Sequence, residues 1–221
     1  MIGDVIIDAG GFTGVPNVDQ CEIKKRECIE GNILWPIYLD RKYRNWPIIH
    51  ISSGCLYSGR KPDGTGWTEN DPTNFTDSFY SLCKAIEQDH IDINNHYLLR
   101  IRMPFATEEH PKNYITKLKK YPKLINVENS ISYLDDIVNT VLFFVNKLPE
   151  PGIYNVCNPG AVWAKDIVTM MGIEKEWFTM DEFNAFVKTP RSFCVLNTDK
   201  LMKIFPLPSA MDRLREVLVQ R

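Results

Sequence analysis

Four short apolar runs recur along the chain, and glycine or proline follows each of them within three residues. They occupy 4–8, 47–52, 97–102 and 152–156 and read "DVIID", "PIIHIS", "YLLRIR" and "GIYNV". Continuous apolar runs of this length are typical of strands that are buried on both faces of a parallel sheet. Because helical patterns separate the runs, the chain is predicted to alternate strand and helix around such a sheet.

The helical patterns lie at 17–32, from about Ser78 to Asp89, and at 133–148. Trp35 and Pro36 are expected to disturb the helix that continues after the first of them, because proline does not fit a helix interior. The segment 133–148 starts with two aspartates that suit a helix N-terminus. Its apolar positions are predicted to share one face: Leu134, Ile137, Val138, Val141, Leu142, Val145 and Leu148.

The last part of the chain has a different pattern, with short helices and little strand. "TMDE" at 179–182 is a capping box, and "SAMD" at 209–212 resembles one. The fold class predicted from these patterns is α/β, with a parallel sheet followed by a smaller, mostly helical lobe.

Composition narrows the classes of partner. The 221 residues carry a net charge of −2 and are 44% hydrophobic, so neither nucleic acid nor membrane is expected as the main partner. The N-terminal "MIGDVIIDAGG" lacks the basic region of a signal peptide. Six scattered cysteines without metal-ligand spacing argue against zinc, any other metal site or a disulfide framework. They favour a cytoplasmic location.

Tyr80 and Lys84 lie four residues apart near the start of a predicted helix, so they share one face. A tyrosine with a pKa of about 10 exchanges protons poorly at pH 7. A neighbouring ammonium stabilises the phenolate and lowers that pKa, which suits general acid–base catalysis. The same four-residue spacing is common on solvated helix faces, so it indicates a catalytic pair only together with other residues of a site.

Ser53 provides that context, because it ends a predicted buried strand, where ligands bind in open α/β sheets. A strand-end serine followed by Tyr-x-x-x-Lys resembles the extended short-chain dehydrogenase/reductases. The resemblance implies a Rossmann-like fold in which Ser53 holds the substrate carbonyl and Tyr80 passes it a proton. Lys84 would tune the tyrosine and bind the nicotinamide ribose.

Further motifs narrow the resemblance and occur in matching order. They are "AGGFTGVPNVDQCE" (9–22), "SSGCLYSG", "NFTDSFYSLCKA", "LRIRMP", "PKNYITKL" and "YNVCNPG". Together they resemble the reductase/epimerase portion of the enzymes that make L-rhamnose nucleotides. The resemblance covers residues 4 to about 205. It implies NADPH-dependent reduction of a nucleotide-linked 4-keto-6-deoxyglucose (UDP or dTDP) together with 3,5-epimerisation.

Cys55 and Lys117 are the residues that this resemblance implies for epimerisation. The C3 and C5 protons of a 4-keto sugar are both acidified by the carbonyl, so one site with a base and an acid on opposite faces can invert both carbons. A cysteine is easily tuned for such a role by nearby positive charge. Taken without the resemblance, Cys55 is also typical of a small buried residue, and Lys117 of a solvated lysine-rich face.

The resemblance also implies binding residues, and it gives two domains. Residues 1–102 would form the NAD(P)-binding domain and 103–221 the substrate-binding lobe, with 133–156 packing back on the sheet. Two interpretations of Arg191 stay open: it binds the nucleotide end of the substrate, or it forms a surface ion pair. The predicted contacts are Ala9, Gly10, Gly11, Tyr80, Lys84 and Arg102 for the cofactor, and Thr13, Asn17, Asn113 and Arg191 for the nucleotide-sugar substrate.

The family's glycine-rich turn, which holds the cofactor pyrophosphate, has no counterpart ahead of these motifs. Relative to the family, roughly 60 to 70 residues of the Rossmann half and its first strands are expected to be absent. The uncovered sheet edge predicts instability, a homo-oligomer or a complementing N-terminal segment. Two other readings stay open at this point: a simple 4-keto-sugar reductase without epimerase activity, and a non-catalytic fragment.

Overall fold

The computed structural model describes residues 4–15 and 17–219. The strands are β1 (Ile6–Asp8), β2 (Ile48–Ser53), β3 (Tyr97–Ile101), β4 (Pro104–Phe105), β5 (Lys123–Ile125), β6 (Glu128–Asn129), β7 (Ser132–Tyr133), β8 (Gly152–Asn155), β9 (Val162–Trp163) and β10 (Glu176–Phe178). The helices are α1 (Asp19–Ile23), α2 (Lys25–Ile29), α3 (Trp35–Lys42), α4 (Phe79–His90), α5 (Tyr114–Lys120), α6 (Leu134–Lys147), α7 (Ala164–Met170), α8 (Met180–Phe186), α9 (Asp199–Met202) and α10 (Ala210–Val219).

The four predicted strands form one parallel sheet in the order β1-β2-β3-β8. Its central strands are buried on both faces, which explains why their sequences are mostly apolar. In the register of β2 and β3, Ser53 lies opposite Ile101. The carboxyl ends of the strands therefore carry Ser53 and the start of the "RMP" segment to the same edge.

Helix α6 packs on this sheet through Ile137, Val141 and Phe144, which join the core formed by β2, β3 and β8. The predicted apolar face of this helix is wider than its buried face. Three of its members are 45–51% exposed: Leu134, Val138 and Leu142. A helix on a flat sheet buries only the stripe that points at the strands, so a face spanning seven apolar positions exceeds that contact.

The helical run 25–42 contains a π-helical segment, Glu30–Leu34, between α2 and α3. Pro36 lies in the first turn of α3. A proline has no N–H and crowds the carbonyl four residues back, which favours a wider turn just before it. The disturbance predicted at Trp35 and Pro36 is therefore a widened turn, and the helix continues through it.

A second core collects side chains from α5, α7 and α10. Three two-stranded sheets accompany the helices: β5 with β10, β4 with β7, and β6 with β9. The capping box at Thr179 and Glu182 is present, and Ser209 accepts from Asp212 N at 3.1 Å. The ends of the two predicted domains, 1–3 and 220–221, lie outside the described residues. The division at residue 102 stays a prediction.

Arg213 of α10 ties this last helix to α6 through a buried carboxylate. Its Nε and Nη2 donate to the two oxygens of Asp136 at 2.9 and 2.7 Å. Asn158 adds a third hydrogen bond at 2.6 Å. Asp136 is 3% exposed, so removing the guanidinium leaves a buried charge without its counter-ion.

We therefore expect Arg213→Met to lower the free energy of unfolding by about 3 kcal/mol. The matched control is Arg215→Met on the same helix, whose ion pair with Asp212 is exposed on both sides. That change is expected to cost less than about 0.5 kcal/mol. Urea denaturation followed by circular dichroism measures both. Equal effects of the two substitutions would contradict the assignment.

Candidate active site

The stretch "SSGC" brings the end of β2 to the sheet edge and turns the chain there. Ser53 is buried, and its Oγ accepts from Cys55 N at 3.1 Å. Gly54 between them has to be glycine for steric reasons. A Cβ at this position would lie 2.6 Å from Leu196 Cδ1 and 2.9 Å from the side-chain stem of Arg102. The turn therefore sets the serine and the cysteine close together above a buried arginine.

Tyr80 and Lys84 lie at the beginning of α4, on the face turned toward Ser53. The helix starts at its N-cap Ser78, whose Oγ accepts from Ser81 N at 3.1 Å. Tyr80 is 7% and Lys84 is 3% exposed, so neither belongs to a solvated helix face. The Ser53 hydroxyl lies near the Tyr80 phenol and lowers its pKa. The residues that the resemblance groups as catalytic are thus brought together by the fold.

Lys84 is held by a buried carboxylate that the sequence analysis did not single out. Its Nζ lies 3.0 Å from an oxygen of Glu87, which is 2% exposed. The Ser52 hydroxyl donates to the same carboxylate at 2.7 Å. Glu87 follows Lys84 by one helical turn, so the spacing could have indicated the pair.

The protonation of Tyr80 follows from these surroundings. Burial raises its pKa far above the usual range, and negative charge at Cys55 raises it further. The nearby Ser53 hydroxyl lowers the pKa, whereas Glu87 raises it again. Because burial disfavours the phenolate most strongly, Tyr80 is held as a neutral phenol. A neutral phenol is the form that can donate a proton to a developing alkoxide.

Cys55 lies directly above the Arg102 guanidinium. Arg102 Nη1 donates to Cys55 Sγ at 2.8 Å. Its Nη2 donates to Asn129 Oδ1 at 2.6 Å and to the Ser192 carbonyl at 3.0 Å. Arg102 is 2% exposed, and its guanidinium is already hydrogen bonded to protein groups. The predicted contact of Arg102 with a cofactor stays a prediction.

Lys117 approaches Cys55 from α5. Burial lowers the pKa of Lys117, as do the positive charges of Lys112 and Arg191, whereas Cys55 raises it. Asn113 caps this helix: its Oδ1 accepts from Ile115 N at 3.0 Å, and its Nδ2 donates to two backbone carbonyls. The structure therefore gives Asn113 a positioning role for α5, and its predicted contact with substrate stays a prediction.

The rim of the site near Lys117 is positively charged. Lys112 Nζ donates to Thr13 Oγ1 at 2.9 Å. Arg191 Nη2 lies 2.8 Å from Asp19 Oδ1 and 3.5 Å from Asn17 Oδ1. The other terminal nitrogen of Arg191, Nη1, is buried and has no hydrogen-bond partner. An unpaired donor beside two lysines offers a site for an anionic group.

The loop that follows β1 leads into this rim through Thr13. Ala9, Gly10 and Gly11 are exposed there, and Gly10 N donates to Asp8 Oδ1 at 3.0 Å. Asn32, in the π-helical turn, accepts from Phe12 N at 3.2 Å and donates to Phe12 O at 2.7 Å. A side chain at Gly11, whose φ is +150°, would be strained and would meet the Asn32 amide. The loop is thus fixed while its backbone stays accessible.

Sequence reasoning missed Glu87, Lys112 and Asn32. Only Glu87 had a usable signal, its helical spacing from Lys84. Lys112 resembles any lysine of its basic segment, and Asn32 lies in a turn whose widening the pattern did not predict. The described residues hold no cluster of His, Cys, Asp and Glu arranged to bind a metal ion. Within the described part of the chain, each helix is too short or too polar to cross a bilayer.

Comparison with known proteins adds independent information, although no protein-family model matches the chain. A bifunctional dTDP-4-dehydrorhamnose 3,5-epimerase/dTDP-4-dehydrorhamnose reductase of Arabidopsis thaliana is 34% identical over 215 residues, which are 91% of this chain and 71% of the relative. A trifunctional UDP-glucose 4,6-dehydratase/UDP-4-keto-6-deoxy-D-glucose 3,5-epimerase/UDP-4-keto-L-rhamnose-reductase of the same plant is equally similar over 91% of this chain. The chain spans only 32% of that relative's length.

A solved structure agrees with these relatives. The L780 UDP-rhamnose synthase from Acanthamoeba polyphaga mimivirus superposes with a TM-score of 0.89 at 28% identity. The match covers 97% of this chain and 81% of that one. A dTDP-4-dehydrorhamnose reductase from Bacillus anthracis, at 16% identity and a TM-score of 0.79, shares the fold.

A parallel sheet with Ser53, Tyr80 and Lys84 at its carboxyl edge defines a short-chain dehydrogenase/reductase. Within that class, the chain belongs to the family of 4-dehydrorhamnose 3,5-epimerase/reductases and UDP-rhamnose synthases. The resemblance inferred from the motifs is confirmed, and so is the α/β fold with its Rossmann-like parallel sheet.

Proposed function

We propose that this chain carries the epimerase and reductase site for a nucleotide-linked 4-keto-6-deoxyglucose. The observation that carries the proposal is the grouping of two acid–base sets near the carboxyl end of β2. Ser53, Tyr80 and Lys84 form the first set, and Cys55 with Lys117 forms the second. A simple reductase needs only the first set.

In the reductase step, Ser53 and Tyr80 would hold the C4 carbonyl oxygen by two hydrogen bonds. Such donors stabilise the negative charge that develops on that oxygen. NADPH, when bound, supplies the hydride to C4. Tyr80 then gives its proton to the C4 oxygen and is reprotonated from solvent, with Lys84 stabilising the transient phenolate.

In the epimerase step, the same two hydrogen bonds stabilise the enolate that forms when a proton leaves C3 or C5. Cys55 and Lys117 approach the sugar from separate elements, the β2 turn and α5. One residue removes the proton while the other returns a proton to the opposite face. The two residues would thus supply the base and the acid that inversion requires, and a purely reductive site would have no use for the second set.

Arg191, Lys112 and the groups beside them are suited to the diphosphate of a nucleotide sugar. The unpaired Nη1 of Arg191 is the donor that supports this assignment. Thr13 and Asn17 already contact Lys112 and Arg191, which makes them part of the same rim. Bidentate contact by a guanidinium is a common mode of phosphate recognition.

The proposed binding of NADPH is supported at the nicotinamide end of the cofactor. Ala9, Gly10 and Gly11 leave an accessible backbone at the end of β1, which pairs with the strand that carries Ser53. Added side chains at the two glycines would crowd Asp8 or Asn32. The sequence contains no G-x-x-G-x-x-G or G-x-G-x-x-G. Binding of the pyrophosphate therefore has to be measured on this chain.

The test is a titration of the purified chain with NADPH, followed by nicotinamide fluorescence, and then a reductase assay with a UDP- or dTDP-linked 4-keto-6-deoxyglucose. We expect saturable binding and loss of absorbance at the nicotinamide band only when the sugar is present. A folded chain that neither binds NADPH nor exchanges sugar protons with solvent would overturn the proposal.

Assembly is a separate expectation. Strand β1 forms one edge of the four-stranded sheet, and Ile7 on it is 50% exposed. An exposed apolar edge is prone to pair with another strand. We propose that this edge drives self-association or takes up a complementing segment. Sedimentation of the chain as a monomer at all concentrations would argue against it.

A further inference from the structure

Cys55 is the one cysteine that is not fully buried; the other five are enclosed. A thiol acts as a base only as its thiolate, so a base at this position needs a neighbour that stabilises negative charge on sulfur. The nearest donor is not Lys117. It is Arg102, whose Nη1 reaches Sγ at 2.8 Å from beneath the turn.

Hydrogen bonds and packing fix the position of the Arg102 guanidinium. Asn129 Oδ1 and the Ser192 carbonyl accept from Nη2, and Ser132 Oγ accepts from the Arg102 backbone N at 3.0 Å. Gly54 leaves the space that the arginine stem fills. None of these partners is a carboxylate, and no ion pair within the described part of the chain compensates the positive charge. Cys194 and Cys157 also lie near the guanidinium, but burial raises the pKa of both thiols and keeps them neutral. The half-buried Cys55 sulfur is then the group that can balance the charge.

We propose that Arg102 is a positioning residue for epimerisation, holding Cys55 as the thiolate base under the sugar. This inference rests on the proposed function. The step balances as follows: the sulfur takes the α-proton as an S–H bond forms, and the C–H electron pair moves into the enolate. Lys117 then returns a proton to the opposite face. Arg102 keeps all its protons throughout.

The assignment is tested first without any sugar. Cys55 is alkylated with iodoacetamide at pH 7, and its rate is read from the modified peptide by mass spectrometry. The reference is an unstructured peptide with the sequence of 52–59, which has the same thiol but no arginine beside it. We expect Cys55 to react at least about fivefold faster than this peptide thiol. An equal or slower rate in the folded protein overturns the proposal.

Variants then assign the effect to the guanidinium. Arg102→Met is expected to slow alkylation at least about tenfold, and Arg102→Lys is expected to restore part of the rate. Arg60→Met is the control, because that arginine pairs with Glu128 at the surface. Circular dichroism confirms folding. If a variant does not fold, the comparison of the alkylation rates of wild-type Cys55 and the peptide thiol still tests the proposal.

The sugar assays separate this inference from the proposed function. Fast Cys55 alkylation that depends on Arg102, without solvent exchange at C3 or C5 in the wild type, would sink the epimerase function and leave the Arg102–Cys55 coupling intact. Exchange that persists unchanged in Arg102→Met would overturn the role of Arg102 and leave the epimerase function intact.

Discussion

Tyr80→Phe is expected to lower the rate of ketone reduction by about 10²–10⁴-fold, the range usual for loss of a positioned general acid. The reason is local: Tyr80 is the phenol near Ser53 at the sheet edge, and burial keeps it protonated. Proton exchange at C3 and C5 needs Cys55 and Lys117, so it is expected to fall much less. NADPH oxidation and deuterium uptake from solvent measure the two activities separately.

The control for this experiment is Tyr38→Phe, on the exposed side of α3, where the hydroxyl contacts only Lys42. It should leave both activities unchanged. Equal loss of reduction and exchange in Tyr80→Phe would show instead that Tyr80 acts mainly by hydrogen bonding the C4 oxygen, which gains negative charge in both steps.

Lys117→Met is expected to reduce proton exchange at the carbon it serves by about 10²-fold or more, while reduction of an already epimerised 4-keto sugar continues. Lys119→Met is the matched control. It lies on the same helix and pairs loosely with Glu109 at 3.8 Å. Equal effects of the two substitutions would contradict a specific role for Lys117. They would show that only the general positive charge of α5 matters.

The pH dependence gives the same residue a second test. As an acid, Lys117 acts in its protonated form, and its pKa is lowered by burial and by Lys112 and Arg191. Exchange should therefore fall as pH rises through a value below that of an ordinary lysine. Lys112→Gln removes one positive neighbour, so the fall should move to higher pH. A shift to lower pH, or none, would contradict the assignment.

Short-range pattern was a reliable guide to the elements of the site. The apolar runs predicted β2, β3 and β8 because each is buried along most of its length. The run of β1 was also recognised, although this edge strand buries only Asp8. Glycine or proline marked their ends. The Tyr80–Lys84 spacing placed both residues on one face because a helix has a fixed period.

The sequence pattern did not predict which charged and polar residues contact each other. The Asp135 and Asp136 pair suits a helix N-terminus, yet Asp136 is bonded to Arg213, 77 residues away. Arg102 and Cys55 are 47 residues apart, and Lys112 and Thr13 are 99 apart. No periodicity encodes such distances.

The sequence by itself determined the class of fold, the strand-end serine, the Tyr80–Lys84 face and the family, because each depends on local residue order. Only the tertiary structure decided which charges meet. Glu87 offsets Lys84, Arg102 lies beneath Cys55, and Lys112 with Arg191 lowers the pKa of Lys117. Electrostatic interactions depend on distance and burial, and the packing of the sheet edge against the lobe sets both.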